Sequence, residues 1–296
     1  MTGGPPSIGT PSSTPSRPGS PVRFQKLHTW RFWSSIVYGA AGVIGGILFL
    51  LELGYLGVYR LSFALNEVNP LLAGFYVTLE VVAVILTLGF GLGFLVGWAR
   101  TTRYVILRGL GSVFVDFFRS MPPIALIVFA ALIGAIELKN SSLNPYQVIN
   151  TAKWLGVIVL GFHTAAYQAE IVRAGILSVP AGQTEAADAV GISRLRSMFV
   201  VVLPQAFRVS LPALGNEFSS SIKDTSLLYT IGWAELSGVA QIQSSFALPA
   251  YHYLYGALVI WIMAAFLYFV ATYIVTRSVR GVEDLFKVPG LEVAHL

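Results

Sequence analysis

Two stretches of sequence decide the fold of this chain: Glu185-Ala186-Ala187-Asp188-Ala189-Val190-Gly191 and, ten residues later, Val201-Val202-Leu203-Pro204. Residues 183–190 are rich in helix formers, and Gly191 suits the left-handed residue that ends such a helix. Ser193 can cap a second helix that runs toward Leu203, and Pro204 punctuates the next turn. The spacing predicts two short helices that meet at a glycine in a compact polar knob. In so apolar a protein, such a knob predicts contact with a partner in water; the alternative is an ordinary amphipathic connector between two membrane spans.

The composition indicates a membrane protein. Apolar residues make up 55% of the chain, charged residues 11%, and the mean hydropathy is +0.71. The chain has no cysteine, which excludes disulfides and thiolate metal sites. The net charge of +5 fits cytoplasmic loops that face anionic lipid, so no nucleic-acid partner is predicted.

Residues 1–32 are predicted to be a disordered cytoplasmic tail. Six prolines among serines, threonines and glycines prevent helix propagation, and little apolar surface is available to bury. The segment is not a secretory signal, because no apolar core follows a short basic start.

Six segments are apolar enough and long enough to cross a bilayer core about 30 Å thick. They lie near Ser34–Tyr59, Gly74–Ala99, Val113–Ile136, Ala152–Val172, Leu211–Ala240 and Tyr253–Val275. The sequence therefore predicts an all-α membrane protein with about six transmembrane helices. Residues 61–72, with Asn69-Pro70, are expected to connect the first two spans. The glycines around Gly89 and Gly93 are expected to allow another helix to approach closely.

The fifth segment is the weakest span. It holds Glu217, Lys223, Asp224 and Glu235, and charges at membrane depth are costly unless they are paired or face the protein interior. It is also longer than one span needs, so we expect part of it to be a broken or surface helix.

Basic residues predict the orientation. With the N-terminus inside, the outer side receives only Arg60, Lys139 and Lys153, which places the knob in the cytoplasm. The cytoplasmic side collects Arg17, Arg23, Lys26, Arg31, Arg100, Arg103, Arg108, Arg173, Arg194, Arg196, Arg208, Arg277, Arg280 and Lys287.

The pattern of the two opening stretches resembles the EAA loop of bacterial ABC-transporter permeases, with Val201 where Ile is commoner. Five further elements resemble permeases of polar amino-acid importers and carry the likeness from Gly74 to about Tyr273. They are Gly74-Phe75-Tyr76-Val77-Thr78-Leu79, Phe117-Phe118-Arg119-Ser120-Met121-Pro122, the run from Ala165 to Gly175, Leu211-Pro212-Ala213-Leu214-Gly215-Asn216-Glu217-Phe218 and Lys223-Asp224-Thr225-Ser226-Leu227. Ser120, Met121 and Ala174 depart from the usual pattern.

The resemblance implies a five-helix type I importer core at 70–280. An additional N-terminal transmembrane helix is then expected at 33–60 and a cytoplasmic C-terminal tail at 281–296. It also implies an assembly in the bacterial inner membrane. Two permease subunits, identical or paralogous, form the path, two cytoplasmic ATPases grip the EAA loops, and a solute-binding protein delivers a polar amino acid from outside. The residues expected to couple to the ATPase are Glu185, Ala186, Ala187, Gly191, Leu203 and Pro204.

The substrate path is expected to involve residues of the fourth and fifth spans. An α-amino acid needs a cation or N–H donors for its carboxylate and an acceptor for its ammonium group. The candidates are His163, Tyr167, Glu170, Lys223, Asp224, Thr225 and Ser226. The alternatives are a local ion pair of Glu170 with Arg173, a packed histidine, and mutual satisfaction of residues 223–226 at the subunit interface. Arg119 can bind a carboxylate bidentately or pair with Asp116.

The chain contains no GxxxxGK[ST] loop, so it is not expected to hydrolyse ATP. No cofactor is predicted in it, and ATP and Mg²⁺ are expected in the partner ATPase. Two rival functions stay open from the residues alone. One is a secondary transporter or channel that needs no ATPase, and the other is a membrane scaffold or sensor whose basic tail recruits a partner.

Overall fold

The computed structural model describes residues 58–139, 142–246 and 253–286, together with the single positions 39, 42 and 46. The predicted tail at 1–32, nearly all of the first predicted span and the last ten residues lie outside these ranges. The described part of the chain is helices and turns without strands. The three described ranges from residue 58 to 286 belong to one compact unit, Gly57–Leu296.

Nine α-helices follow one another in the described ranges. Their bounds are α1 Val58–Ala99, α2 Val105–Ser120, α3 Pro123–Leu138, α4 Pro145–Leu177, α5 Ala181–Ala189, α6 Arg194–Ser197, α7 Leu203–Asp224, α8 Leu236–Phe246 and α9 Tyr253–Phe286. A π-helical turn at Met198–Val202 joins α6 to α7, and a 3₁₀ segment at Thr225–Ile231 follows α7.

Four helical stretches of the described chain are long and apolar enough to cross a membrane, or five if the bent pair α2–α3 counts as one span. The sixth predicted span, near Ser34–Tyr59, falls almost wholly outside the described residues, so the structure supports the helical membrane fold without a count of six. The connection expected at 61–72 is wrong, because α1 runs without interruption through Pro70. The proline removes only its own N–H from the hydrogen-bond ladder, and α1 continues on both sides of it.

The third predicted span is also different from a single straight helix. Helices α2 and α3 meet at 102° across Met121-Pro122. Proline disfavours helical backbone in the residue before it, and Met121 accordingly has an extended conformation with φ −95° and ψ 137°. Pro123 then begins α3, where its missing N–H costs no hydrogen bond.

The break expected in the fifth predicted span is present. Helix α7 ends at Asp224, and the 3₁₀ segment closes at Gly232, whose φ of 73° is left-handed. Helix α8 then starts at Leu236. The charges at 223, 224 and 235 therefore lie at or next to the ends of the α-helices α7 and α8.

Helices α1 and α4 pack closely at the centre of the fold. As expected from its glycines, α1 has little room for side chains there: a Cβ at Gly93 would lie 2.9 Å from the Ala165 carbonyl oxygen, and one at Gly97 would lie 2.6 Å from the Ala169 carbonyl oxygen. Above this contact an apolar cluster joins α1, α3, α4 and the 3₁₀ segment. Its buried members are Val81, Ile85, Ile127, Val157, Leu160 and Leu228.

Candidate functional site

The knob predicted from the sequence is a short helix closed by a left-handed glycine. Gly191 has φ 81°. Its N–H donates to the Asp188 carbonyl at 3.0 Å, and the Ile192 N–H donates to the Ala187 carbonyl at 2.9 Å. These two bonds satisfy the carbonyls at the end of α5 in the Schellman arrangement. The turn fixes the direction in which the chain leaves α5.

The knob presents one acid beside small and apolar side chains. Glu185 and Ala186 are exposed, whereas Ala187 is 5% exposed and faces inward. Around them Val190 and Leu195 expose 74% and 63% of their surface. Exposed aliphatic side chains next to a directed charge are a surface suited to a protein partner.

The second helix of the knob is not short, contrary to the prediction. Ser193 begins α6, although its side chain makes no capping hydrogen bond, and the helix passes through the π turn directly into α7. Pro204 lies in the first turn of α7, where it is exposed, and Leu203 beside it is half-buried. A proline has no N–H to return to the preceding turn, and a widened π turn lets the helix continue through that position.

Glu170 is the centre of an ion-pair cluster on α4. Its Oε2 accepts from Arg100 Nη1 at 2.5 Å, and its Oε1 accepts from Arg173 Nε at 3.1 Å and Nη2 at 2.7 Å. Arg119 Nη1 lies 3.8 Å from Oε2. The local pair with Arg173 is therefore present, but Glu170 also ties α4 to the end of α1.

A second row of polar side chains runs up the same face of α4. The rings of His163 and Tyr167 lie 5.0 Å apart, and the Arg119 guanidinium lies 5.1 Å from the Tyr167 ring centre. His163 is 7% exposed, and its Nδ1 has no hydrogen-bond partner. Arg119 thus bridges Tyr167 and the Glu170 cluster and brings the end of α2 to α4.

The structure divides the candidates at 223–226 between two surroundings. Thr225 is fully buried and donates to the Ile222 carbonyl at 2.7 Å. Lys223 and Ser226 instead line a groove of about 500 Å³ between α7, α8 and α9, to which Ser237 and Tyr268 also contribute. Asp224 is half-buried beside Lys223. The groove that Lys223 and Ser226 line does not include His163, Tyr167 or Glu170.

Glu235 is a buried residue for which the sequence predicted no role; it was noted only among the charged residues of the fifth predicted span. It is fully buried before α8, and its carboxylate accepts from the Ser237 and Gly238 N–H groups at 2.9 and 2.8 Å. The Tyr268 hydroxyl donates to it at 2.6 Å, and the Thr78 hydroxyl lies 3.5 Å away. Burial raises the pKa of Glu235, and the four donors oppose that rise. Its charge in a weakly apolar stretch was the signal that pointed to it.

The described part of the chain holds no cluster of candidate metal ligands. No three His, Asp or Glu side chains there are placed to hold a metal ion. The described part of the chain has instead an exposed knob and a row of charged and polar side chains along α4.

The family described as "Binding-protein-dependent transport system inner membrane component" matches residues 89–284, which include the knob, the Glu170 cluster and the groove. The chain belongs to this family. The resemblance to ABC-transporter permeases is thereby confirmed, and membership makes the chain a multi-pass inner-membrane protein of a transport system.

Relatives and a solved structure agree with this assignment. The L-cystine transport system permease protein TcyB of Bacillus subtilis is 36% identical over 215 residues, which are 72% of this chain and 86% of the relative. The glutamine transport system permease protein GlnP of Escherichia coli is 32% identical over 220 residues, 74% of this chain and 93% of the relative. The crystal structure of an amino acid ABC transporter with histidines is similar to this chain, with a TM-score of 0.61 and 28% sequence identity. The match covers 75% of this chain and 96% of the chain in that structure.

Proposed function

We propose that this chain is the permease subunit of an importer that carries a polar amino acid and is driven by ATP hydrolysis in a separate subunit. The observation that carries the proposal is the exposed knob of α5 in a chain of this family. Its glycine-closed end fixes an acid and several apolar side chains in water, where a soluble subunit can bind them. The two relatives reported above are named for L-cystine and glutamine, which supports a polar amino acid as the cargo.

The ATPase binds ATP and Mg²⁺, and this chain converts the movement of the ATPase into movement of its spans. Helix α5 follows α4 after only Ser178, Val179 and Pro180. A displacement of the knob is therefore passed to α4 and to the Glu170 cluster on it. Nucleotide binding then shifts the population between inward-facing and outward-facing states.

The assembly contains partners on both sides of the membrane. An ATPase dimer binds the knobs in the cytoplasm, a second permease subunit completes the path, and a solute-binding protein delivers the amino acid from outside. The bias of basic residues supports this orientation, since Arg100, Arg103, Arg173 and Arg194 all flank the side on which the knob lies.

Affinity purification and uptake together test the proposal. The tagged chain is purified in mild detergent from its native host, and the bound proteins are identified by mass spectrometry. We expect a P-loop ATPase in equal amount. Deletion of the chain should abolish energy-dependent uptake of one member of a panel of labelled L-cystine, L-glutamine and L-arginine, and the wild-type chain should restore it.

A secondary transporter gives the opposite results. It would be recovered without an ATPase and would carry amino acid into liposomes that lack ATP. Either result would overturn the proposal. A scaffold or sensor is distinguished by the deletion, which would leave uptake of all three amino acids unchanged.

A further inference from the structure

Helix α2 runs across the direction of the membrane spans. Helix α3 lies along the span α4 and antiparallel to it, since Ile127 packs against Gly156 and the later residue Gly134 packs against Ala152. The angle of 102° between α2 and α3 turns α2 away from that direction. Helix α2 therefore lies closer to the plane of the membrane than to its normal.

The depth of α2 is that of the arginines near the ends of α1 and α4. Ser112 of α2 accepts a hydrogen bond from Arg100 Nε at 3.3 Å. Arg100 is paired with Glu170, which also binds Arg173 near the end of α4. Arginines at the ends of spans mark the boundary between the bilayer and the cytoplasm. In the orientation proposed above, α2 therefore lies in the cytoplasmic leaflet near its surface.

Helix α2 has an exposed apolar stripe on one side and polar residues on the other. The four side chains of the stripe are 52–77% exposed: Ile106, Leu110, Val113 and Phe117. Their spacing of four, three and four residues puts them on one face of the helix. Arg108, Ser112 and Asp116 lie on the opposite side, while Gly111 and Val115 are buried against the rest of the protein. An amphipathic helix in the plane of a leaflet places its stripe among acyl chains and its polar side at the headgroups.

Two exposed arginines at the start of α2 supply positive charge at headgroup level. The Arg103 guanidinium lies 5.4 Å from the centre of the exposed Tyr104 ring, and Arg108 follows in the second turn of the helix. Neither arginine forms an ion pair with any residue that the structure describes. The sequence has no acid between Glu80 and Asp116. A planar guanidinium stacked on tyrosine keeps its edge for a phosphate, which it binds in bidentate geometry.

The charges favour a lipid over a second copy of this chain as the occupant of this surface. A second copy packed on the stripe would cover the apolar side chains but leave Arg108, on the opposite side of α2, without an opposite charge. An anionic phospholipid brings acyl chains for the stripe and a negative headgroup for the arginines in one molecule.

We propose that α2 is an in-plane helix of the cytoplasmic leaflet that binds an anionic phospholipid. Arg103 and Arg108 bind the phosphate of the headgroup, and the stripe from Ile106 to Phe117 lies among the acyl chains. The inference rests on the orientation given under the proposed function, but it needs neither the cargo nor the ATPase.

Lipid binding by the purified full-length chain tests the site. The tagged chain in mild detergent is titrated with phosphatidylglycerol or with phosphatidylcholine, and bound lipid is counted by native mass spectrometry. We expect the wild type to prefer phosphatidylglycerol. The double variant Arg103→Gln with Arg108→Gln should bind phosphatidylglycerol roughly tenfold or more weakly, because each arginine near the headgroup contributes to the attraction. Its affinity for phosphatidylcholine should change much less, since that headgroup carries no net charge.

Matched variants separate this site from a general effect of charge. Arg194→Gln with Arg196→Gln removes two exposed arginines from α6 and should leave phosphatidylglycerol binding unchanged. Arg103→Lys with Arg108→Lys keeps the charge and should retain most of the binding. Wild-type affinity in the Arg103 and Arg108 glutamine variant would overturn the inference, and so would an equal loss in the Arg194 and Arg196 variant.

A single cysteine tests what covers the stripe. The chain has no cysteine of its own, so Leu110→Cys provides one thiol. In native membranes this thiol should form no disulfide-linked dimer under oxidation by copper phenanthroline. It should also resist a charged maleimide that labels Arg196→Cys on the knob in inside-out vesicles. A dimer would place a second copy on the stripe, and rapid labelling would place the stripe in water; either result overturns the inference. Lack of amino-acid uptake or of an ATPase partner would refute the proposed function without affecting these lipid measurements.

Discussion

Arg100 and Glu170 are joined by an ion pair of 2.5 Å between residues seventy positions apart. Arg100 follows the end of α1, and its Nε also donates to the Ser112 hydroxyl on α2 at 3.3 Å. Glu170 lies on α4, about two turns before the connection to the knob. The pair therefore binds three helices together at the point where movement of the knob would enter the membrane.

Neutralising Glu170 should destabilise the protein. Glu170→Gln leaves Arg100 and Arg173 without their shared carboxylate, and the side chain of Arg100 is only 11% exposed. Since Glu170 is 27% exposed, we expect a loss of about 2 kcal/mol in the free energy of unfolding, less than for a fully buried pair. Thermal unfolding of the detergent-purified chain measures it.

The matched control for that change is Glu137→Gln. Glu137 is an exposed acid on α3, and its replacement should change stability by less than about 0.5 kcal/mol. Equal melting temperatures for Glu170→Gln and Glu137→Gln would contradict the stabilising role of the cluster.

The hydroxyl of Tyr268 should contribute measurably to stability. It donates the shortest of the hydrogen bonds to the buried Glu235 carboxyl group, at 2.6 Å, and its oxygen lies 3.0 Å from the Ser237 hydroxyl. Tyr268→Phe removes one hydrogen bond to the buried carboxyl group of Glu235 and should cost about 1–3 kcal/mol. Tyr273→Phe is the control on the same helix, because Tyr273 is 46% exposed. Equal melting temperatures for the two variants would show that the hydrogen bond from Tyr268 to Glu235 does not stabilise the protein.

Much of the fold follows from patterns within short stretches of sequence. Gly191 after a run of helix formers predicted a helix ended by a left-handed residue, and its φ is 81°. The glycines of α1 predicted a close helix approach, which Gly93 and Gly97 make with α4. The charges in the fifth predicted span indicated a break, and α7 ends at Asp224. Each of these signals is local, so a single sequence contains it.

Other features depend on which distant residues meet. Proline occurs at 70, 122 and 204, yet only Pro122 accompanies a sharp bend, because the outcome depends on the packing around each one. The pairing of Glu170 with Arg173 was visible at a spacing of three, whereas its pairing with Arg100 required the approach of α1 to α4. Likewise, Lys223 lines the groove beside α9 whereas Thr225 is buried, and this difference depends on where α9 packs.

Replacing each of two glycines of the knob by alanine should affect its stability differently. A Cβ at Gly182 or at Gly191 would meet nothing within 4 Å, so the two changes differ only in backbone conformation. Gly182 is helical, and Gly182→Ala should be neutral or slightly stabilising. Gly191→Ala places a side chain at φ 81° and should destabilise the end of α5 by about 1 kcal/mol. Hydrogen exchange of the amides at 188–192 measures this locally, and equal protection in the two variants would contradict it.

The exposed acid of the knob should determine coupling to the ATPase. Glu185→Lys reverses the one acidic charge of the Glu185-Ala186-Ala187 triplet without disturbing packing, since Glu185 is exposed. Gly191→Pro changes the direction of the knob, because proline cannot adopt φ 81° and loses the N–H that donates to Asp188. We expect both variants to reach the membrane at normal levels and to lose uptake, roughly tenfold or more, while the ATPase continues to hydrolyse ATP. Glu283→Lys reverses a charge on α9, outside the segment 185–191, and should transport normally. Normal uptake by both knob variants would show that the ATPase is coupled through another surface.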